Sequence, residues 1–313
     1  MTIAFMFPGQ GSQAVGMGKA LADTFFEARA VFEAVDDAIG ENLSRLIWEG
    51  PADQLMLTEN AQPALMAVSL AAVRVLEARG IRIKDKVMFV AGHSLGEYSA
   101  LAATGALSTT DAAQLLRERG RAMQAAVPVG TGAMAALLGM ELEPAREVVA
   151  EAAGGEVCQV ANDNGGGQIV ISGNKDAVDR AIEIAKAKGA KRAVLLPVSA
   201  PFHCSLMGPA AKVMEGGLST VSVHSPAVPL VANVLARPIS DPAEIKQRLV
   251  QQVTGMVRWR ESMMWLAANG VTTFVEIGAG KVLSGLVKRI VEGADTLSIG
   301  TPSDIEAAAE KLA

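Results

Sequence analysis

A serine framed by two glycines is the feature of this sequence most typical of covalent chemistry. Ser94 stands in Gly92-His-Ser-Leu-Gly96, directly after the apolar run 87–91 and before a helical pattern. On a tight turn between strand and helix, a serine projects its hydroxyl, and small residues two positions away remove Cβ clashes. N–H groups at the helix start can then stabilise an oxyanion. The pattern predicts that Ser94 is a covalent nucleophile, although an ordinary strand-to-helix turn would contain the same residues.

A serine nucleophile needs a base, and three histidines compete for that role. His93 adjoins Ser94, but neighbours on the strand side of a sharp turn point apart, so we expect His93 to pack or to make a structural hydrogen bond. His224 lies in a polar, loop-like segment where a solvated histidine is the default. His203 follows a predicted subdomain at the lip of the inferred cleft and is the preferred base. No acidic residue is an obvious third member of a serine–histidine–acid triad. Glu276 is the nearest candidate, and it could equally cap a helix or be solvated.

A cation on the apolar face of a predicted helix is a candidate anion binder. In the helix predicted over 110–126, Arg119 follows two leucines by three and four residues and falls on their stripe, whereas Arg117 and Arg121 project elsewhere. A buried guanidinium without an anion is costly, so Arg119 needs either a buried Asp or Glu or an incoming carboxylate. Helix geometry alone slightly favours the internal pair.

The segment Phe7-Pro-Gly-Gln-Gly-Ser-Gln13 follows the first predicted strand and opens toward a helix. Its N–H groups could complete an oxyanion hole together with the N–H of Leu95, the residue after the nucleophile; the simpler interpretation is a tight turn. The segment lacks the third glycine of a dinucleotide-binding loop and the Gly-Lys-Ser/Thr of a phosphate-binding loop. The segment 278–281 does not match the phosphate-binding pattern either. The segment 162–167 is most simply a hairpin turn.

Composition limits the remaining function classes. A net charge of −5 argues against a general nucleic-acid binder, which needs a basic face. Cys158 and Cys204 lie far apart, as expected of reduced thiols, and without metal-ligand spacing a metal site is not expected. No apolar run approaches the roughly 20 residues that span a bilayer, and the first residues have no basic leader region. We therefore expect a cytoplasmic protein with no membrane or nucleic-acid partner.

Short apolar runs alternate with longer helical patterns, which predicts an α/β protein with a mostly parallel sheet. From 132 onward the order becomes strand, helix, strand, strand, helix, strand, the order of a ferredoxin-like unit. Proline and glycine at both borders predict an inserted subdomain at 128–198 and a large domain at 1–127 and 199–313, with a cleft between them. The strands are expected at 3–7, from 87, 133–138, 157–161, 168–172, 193–197, 229–234 and 271–277, and the helices at 17–39, 60–79, 97–103, 110–126, 144–153 and 176–188.

Four features together give the chain a family resemblance. In chain order they are Pro8-Gly-Gln-Gly-Ser-Gln13, Gly92-His-Ser-Leu-Gly-Glu-Tyr-Ser99, Arg119 and His203. It resembles the malonyl-CoA:acyl carrier protein transacylases of bacterial fatty acid synthesis over essentially its whole length. The combination is far more specific than any single motif. The resemblance implies an α/β-hydrolase-like large domain with an inserted ferredoxin-like subdomain.

The resemblance also implies a mechanism. Ser94 is similar to the acylated nucleophile of the family, His203 to its base, and the N–H groups of Gln10 and Leu95 to its oxyanion hole. The implied partners are malonyl-CoA and acyl carrier protein. The implied reaction is a ping-pong transfer through a malonyl-serine ester, without a metal or a tightly held cofactor.

Further roles follow from the resemblance position by position. Arg119 is similar to the arginine that binds the malonyl carboxylate in the family. The resemblance therefore favours a substrate carboxylate as its partner over the buried Asp or Glu that helix geometry favours. Gln252 stands where a backbone carbonyl orients the histidine, and Asn162 matches a supporting asparagine. The chain departs from the family at Gly255-Met256, where relatives often carry Asn-Pro. Phe202 suits an unbranched malonyl group and would crowd an α-methyl branch, a preference worth only about 1 to 3 kcal/mol.

Two other function classes use the same motif. A serine hydrolase or thioesterase would release free malonate without a thiol acceptor, and a catalytically silent docking module would form no adduct. Service to a polyketide pathway or a malonate decarboxylase system is a related possibility. Because acyl carrier proteins are acidic and this chain is acidic, docking would need a local basic patch, for which Lys191-Arg192, Lys281 and Lys288-Arg289 are candidates.

Overall fold

Two β-sheets and their surrounding helices form the described part of the chain, residues 2–198 and 200–312 of a computed structural model. The strands are β1 (Ile3–Phe7), β2 (Val87–Gly92), β3 (Gly132–Leu138), β4 (Cys158–Asp163), β5 (Gln168–Asn174), β6 (Arg192–Leu195), β7 (Leu230–Ala232), β8 (Arg237–Ile239), β9 (Thr273–Ile277) and β10 (Asp295–Ile299). The helices are α1 (Lys19–Thr24), α2 (Phe26–Ile39), α3 (Leu43–Glu49), α4 (Ala52–Met56), α5 (Thr58–Ala78), α6 (Ile83–Lys86), α7 (Gly96–Ala103), α8 (Thr109–Ala125), α9 (Leu142–Ala153), α10 (Lys175–Ala187), α11 (Gly208–Thr220), α12 (Pro242–Thr254), α13 (Trp259–Ala268), α14 (Val282–Ile290) and α15 (Pro302–Leu312), with a short 3₁₀ helix at Ser205–Met207.

The larger sheet has the strand order β10-β9-β1-β2-β7-β8. All of its pairs are parallel except β7 with β8, so the prediction of a mostly parallel sheet is confirmed. Every residue of β1 is buried because both faces are covered: Phe5 and Phe7 pack into one apolar cluster, and Ala4 and Met6 into another. Burial on both faces explains why the strand is apolar at successive positions in the sequence.

The smaller sheet has the order β4-β5-β3-β6, and all of its pairs are antiparallel. Along the chain its elements run β3, α9, β4, β5, α10, β6. Both helices are amphipathic and turn their apolar residues, such as Val148 and Val178, into a core of their own with Leu137 and Ile171. The predicted domain borders at residues 1, 199 and 313 fall outside the described residues.

Several elements differ from their sequence-based predictions. The edge strands β8 and β10 were not predicted, because β8 has three residues with a central proline and β10 mixes polar with apolar residues. Strand β4 extends to Asp163, so the turn predicted at 162–167 begins two residues later. The statement that no apolar run approaches membrane-spanning length is wrong for α5, which is long and apolar enough to cross a bilayer. However, 83% of that stretch is buried inside the protein, which identifies α5 as a core helix.

Candidate active site

Ser94 lies at the apex of the turn between β2 and α7, with a φ of 54°. This left-handed conformation is strained for a residue other than glycine and needs support from its surroundings. A Cβ on Gly92 would lie 1.9 Å from the carbonyl carbon of Gly96, and a Cβ on Gly96 would lie 2.2 Å from the carbonyl oxygen of Phe7. The two glycines are therefore required by direct backbone contacts.

The side chain of Asn233, just after β7, holds this turn from the side. Its Oδ1 accepts a hydrogen bond from the N–H of Ser94 at 2.8 Å, and its Nδ2 donates to the carbonyl of Gly92 at 2.7 Å. Asn233 is itself buried. The Asn233 amide thus bonds to the backbone at the strained residue and two residues before it, which stabilises the turn.

Ser94 and His203 lie 109 positions apart in the chain, and the fold brings them together. The Oγ of Ser94 is 2.8 Å from Nε2 of His203, and Nδ1 of the same ring is 2.9 Å from the carbonyl oxygen of Gln252. Because a carbonyl can only accept, Nδ1 carries the proton and Nε2 is free to accept the serine hydroxyl. The arrangement can deprotonate Ser94 with a backbone carbonyl orienting the ring.

Burial, and then the nearby positive charge of Arg119, lower the pKa of His203 to about 3. The hydrogen bond to the carbonyl of Gln252 opposes this shift in part. The imidazole is therefore neutral near pH 7, the protonation state that a base requires.

Arg119 reaches the same point from α8 and is only 1% exposed. Its Nη2 donates to Oγ of Ser94 at 3.1 Å and to Oε1 of Gln252 at 2.8 Å, and its Nη1 donates to Oε1 of Gln62 at 2.6 Å. Among the described residues no carboxylate forms an ion pair with Arg119, and its buried Nε has no hydrogen-bond partner. The internal Asp or Glu partner favoured by helix geometry is therefore wrong: neutral acceptors hold this cation, which leaves its charge without a direct counterion.

Gln10 and Leu95 flank the nucleophile with backbone N–H groups. Both residues line the cleft that contains Ser94. Within residues 2–198 and 200–312, neither N–H donates to a protein acceptor. The side chain of Gln10 is fixed separately, because its Oε1 accepts from Oγ1 of Thr58 at 3.1 Å. Both N–H groups are thus available to a ligand oxygen.

The remaining sequence candidates have other positions. His93 packs against Trp259 and bonds through Nε2 to Oδ1 of Asn164 at 2.9 Å. His224 is exposed. Glu276 accepts from the N–H groups of the first turn of α14 and is a helix cap, one of its two sequence-based alternatives. Asn162 is buried on β4 and lines the cleft without a direct contact to Ser94 or His203.

The cleft lies between the two sheets and has a volume of about 480 Å³. The larger sheet side contributes Ser94, Arg119 and His203, while Met134 and Val170 come from the smaller sheet. Among the described residues that line the cleft, Arg119 alone carries a formal charge at neutral pH. An apolar cleft with one buried cation beside a nucleophile suits a small acyl group that ends in an anion.

Three residues that shape this site were not identified from the sequence: Gln62, Glu97 and Asn233. Each is almost fully buried, and Asn233 stands alone as a polar residue in the apolar run 230–236. Asn233 also follows a buried strand at the carboxyl edge of a parallel sheet, where binding residues concentrate. For Asn233, an isolated polar residue in an apolar segment was the available signal, but it does not identify the partner.

The chain is similar to known proteins in both sequence and structure. The chain matches the acyl transferase domain family over residues 4–302. It is 48% identical over 311 residues to the malonyl CoA-acyl carrier protein transacylase of Bacillus subtilis (strain 168), covering 99% of this chain and 97% of the relative. The crystal structure of an acyl-carrier-protein-S-malonyltransferase from Bartonella henselae matches with a TM-score of 0.98 and 60% identity, covering 100% and 99% of the two chains. A malonyl-transacylase solved in complex with its type II PKS acyl-carrier protein matches with a TM-score of 0.96 and 39% identity, covering 99% and 100%.

Proposed function

The chain belongs to the malonyl CoA-acyl carrier protein transacylase family, and from this membership we propose that it moves malonyl groups from malonyl-CoA to the phosphopantetheine thiol of acyl carrier protein. It is an acyltransferase. The observation that carries the choice of substrate is the buried Arg119 guanidinium, which has no direct carboxylate partner and lies 3.1 Å from Oγ of Ser94.

In the first half of the proposed reaction, Ser94 takes the acyl group. Nε2 of His203 accepts the hydroxyl proton as Oγ attacks the thioester carbonyl. The N–H groups of Gln10 and Leu95 hold the oxyanion of the tetrahedral intermediate. When the carbon–sulfur bond breaks, His203 returns the proton to the sulfur of coenzyme A, and a malonyl-Ser94 ester remains.

In the second half, the thiol of acyl carrier protein replaces coenzyme A. His203 accepts the thiol proton as the sulfur attacks the ester carbonyl, and the same N–H groups hold the second oxyanion. The carbon–oxygen bond to Ser94 then breaks, and His203 protonates the serine oxygen. The two half-reactions use one set of groups in opposite order, which is why a ping-pong scheme needs only one base.

Arg119 selects the acyl group in this proposal. A malonyl carboxylate can accept from the guanidinium in a desolvated site, where a charged hydrogen bond is stronger than in water. An acetyl group leaves the cation without an anion. Phe202 lies beside the base and lines the same cleft, and its bulk favours an unbranched acyl chain by about 1 to 3 kcal/mol.

The proposed function is tested by transfer to purified holo acyl carrier protein from malonyl-CoA and from acetyl-CoA. The unmodified enzyme is expected to prefer malonyl-CoA. Arg119→Ala is expected to lower kcat/KM for malonyl transfer by about a hundredfold, because it removes a charged partner in a buried site, and to leave acetyl transfer equal or faster. Rates are measured by mass analysis of the carrier protein.

Arg121→Ala is the matched control, since Arg121 lies on the same helix with an exposed side chain and should leave both rates unchanged. An unchanged malonyl-to-acetyl ratio in Arg119→Ala would contradict the role of Arg119. Free malonate, released at the same rate with and without carrier protein, would instead identify a thioesterase.

The acyl carrier protein is proposed to dock where basic residues border the cleft. Lys281, Lys288 and Arg289 are exposed on or next to α14, whose apolar residues line the cleft. Arg289 and Lys191 each pack against a glycine. A Cβ on Gly166 would lie 2.9 Å from Cβ of Arg289, and a Cβ on Gly139 would lie 2.6 Å from Cγ of Lys191. The amide of Gly139 in turn donates to the carbonyl of Gly167 at 2.7 Å. Arg289 and Lys191 therefore lie near the same stretch of glycine backbone, and we group them with Lys281 and Lys288 of the α14 segment as one basic rim, which suits an acidic partner.

Reversing charge on this rim should weaken docking. Lys281→Glu combined with Arg289→Glu is expected to raise KM for acyl carrier protein about tenfold at low salt, and the effect should shrink at high salt because exposed charges are screened. Acylation of Ser94 by a small malonyl thioester without coenzyme A phosphates should be unaffected. Lys212→Glu is the control, because Lys212 is an exposed residue of α11. An unchanged KM for the carrier protein would place docking elsewhere.

The finer architecture and the cellular setting are also proposals. The chain leaves the larger sheet after α8, forms the smaller sheet with the order β-α-β-β-α-β, and returns to the larger sheet at β7. This path supports an α/β-hydrolase-like domain at 1–127 and 199–313 that carries a ferredoxin-like subdomain at 128–198. We assign the enzyme to the cytoplasm and to fatty acid synthesis; exclusive activity on a polyketide carrier protein would contradict the second assignment.

A further inference from the structure

A buried carboxylate, Glu97, lies directly beneath the nucleophile turn in the first turn of α7 and is only 1% exposed. Its Oε1 accepts from the backbone N–H of Asn233 at 2.6 Å, and its Oε2 accepts from Nε2 of Gln252. Burial raises the pKa of Glu97 to about 8, against the opposing effects of these hydrogen bonds and the charge of Arg119, so its carboxylate form predominates above that pH. Burying a carboxylate is costly, and Glu97 does not line the cleft, so direct contact with substrate does not explain it.

The amide of Gln252 connects Glu97 to Arg119. Its Nε2 donates both to Glu97 and to the carbonyl oxygen of Ser94, the latter at 2.9 Å. Its Oε1 accepts from Nη2 of Arg119 at 2.8 Å. A carboxylate and a carbonyl can only accept, whereas a guanidinium can only donate. The amide therefore fits in one orientation, and the opposite orientation would place acceptor against acceptor and donor against donor.

We propose that Glu97 is a positioning residue for acyl selectivity: its carboxylate fixes the orientation of the Gln252 amide, which in turn holds Arg119 beside Ser94. This inference rests on the proposed function, in which Arg119 binds the substrate carboxylate.

The near-isosteric change Glu97→Gln tests this role. An amide has one acceptor oxygen, but Glu97 accepts from two donors. The backbone N–H of Asn233 cannot turn away, so we expect it to keep that oxygen and the new NH₂ group to face Gln252. The Gln252 amide must then turn its oxygen toward residue 97. This turn points the NH₂ group of Gln252 at Arg119, and the guanidinium is displaced because two donors then face each other. At about pH 9, where the carboxylate form of Glu97 predominates, the malonyl-to-acetyl ratio of kcat/KM is expected to fall about thirtyfold or more.

A double-mutant cycle separates this mechanism from general damage. If Glu97 acts through Arg119, Glu97→Gln should leave the malonyl-to-acetyl ratio unchanged when Arg119 is already alanine. Glu118→Gln is the matched control, because Glu118 is exposed and precedes Arg119 on the same helix. Glu97→Asp keeps both acceptor oxygens one methylene further back and should retain a higher ratio than Glu97→Gln.

Folding is checked by circular dichroism and thermal unfolding. If Glu97→Gln does not fold, Glu97→Asp takes its place in the cycle, with a ratio loss of a few-fold that should disappear in the Arg119→Ala background. The inference is wrong if Glu97→Gln slows malonyl and acetyl transfer equally, or lowers the ratio further when Arg119 is absent. The proposed function, by contrast, loses its substrate assignment if Arg119→Ala alone leaves the ratio unchanged.

Discussion

Replacing Ser94 with alanine is expected to abolish the malonyl-enzyme adduct and to lower transfer to acyl carrier protein by roughly 10⁴-fold or more, the scale seen when a serine nucleophile is removed. In the proposed mechanism every acyl group passes through Oγ of Ser94, which has both a base at 2.8 Å and a cation at 3.1 Å. Intact-mass analysis after mixing with malonyl-CoA measures the adduct. The unmodified protein should gain one malonyl group, and the variant none.

A second hydroxyl in the cleft provides a matched control for this experiment. Ser12 also lines the cleft, on the loop after β1, but the structure gives its hydroxyl no hydrogen bond to a histidine. Ser12→Ala should therefore form the adduct at the normal rate. An adduct that persists in Ser94→Ala would contradict the assignment, and peptide mapping would show which residue carries it.

The sequence alone was sufficient for the elements that are buried on both faces. Strands β1 and β2 are apolar runs, and the structure matches both predicted bounds of β1 and the predicted start of β2, because few other structures accommodate such runs. The helix predicted at 110–126 begins one residue earlier, since Ser108 caps it and accepts from the N–H of Asp111. The edge strand β10 was missed because Asp295 and its polar neighbours pair on one side only, which leaves little periodic signal.

The site was predictable in its residue types but only partly in its contacts. Local turn chemistry identified Ser94, because the glycine requirement is encoded within five residues. The acceptors of Arg119 were not predictable from helix periodicity, because Gln62 and Gln252 come from two other helices. Periodicity reports which face of a helix is buried and not what lies against that face. The sequence-based preference for a carboxylate partner failed for this reason, whereas the family resemblance pointed to a substrate anion.

The second large effect is expected at His203. His203→Ala should slow acylation of Ser94 by about 10³-fold, within the range for loss of general base catalysis. His224→Ala is the matched control, since that histidine is exposed and does not line the cleft. Stopped-flow measurement of coenzyme A release isolates the acylation step. A rate within tenfold of the unmodified enzyme would show that another group removes the serine proton.

The pH dependence of that step tests the same assignment from the physics of the site. Burial, and then the charge of Arg119, lower the pKa of His203 to about 3, so the imidazole is the neutral base at all higher pH values and kcat/KM should fall only as pH approaches about 3. Folding sets a separate limit: a histidine in the unfolded chain binds its proton near pH 6.5, so this buried neutral ring costs stability increasingly from pH 6.5 down to about 3. Rates must therefore be taken on protein shown to be folded at each pH. Arg119→Ala removes one cause of the low pKa of His203, so the fall of kcat/KM at acid pH should move to higher pH in this variant. If that fall stays at the same pH, the group that titrates there is not His203.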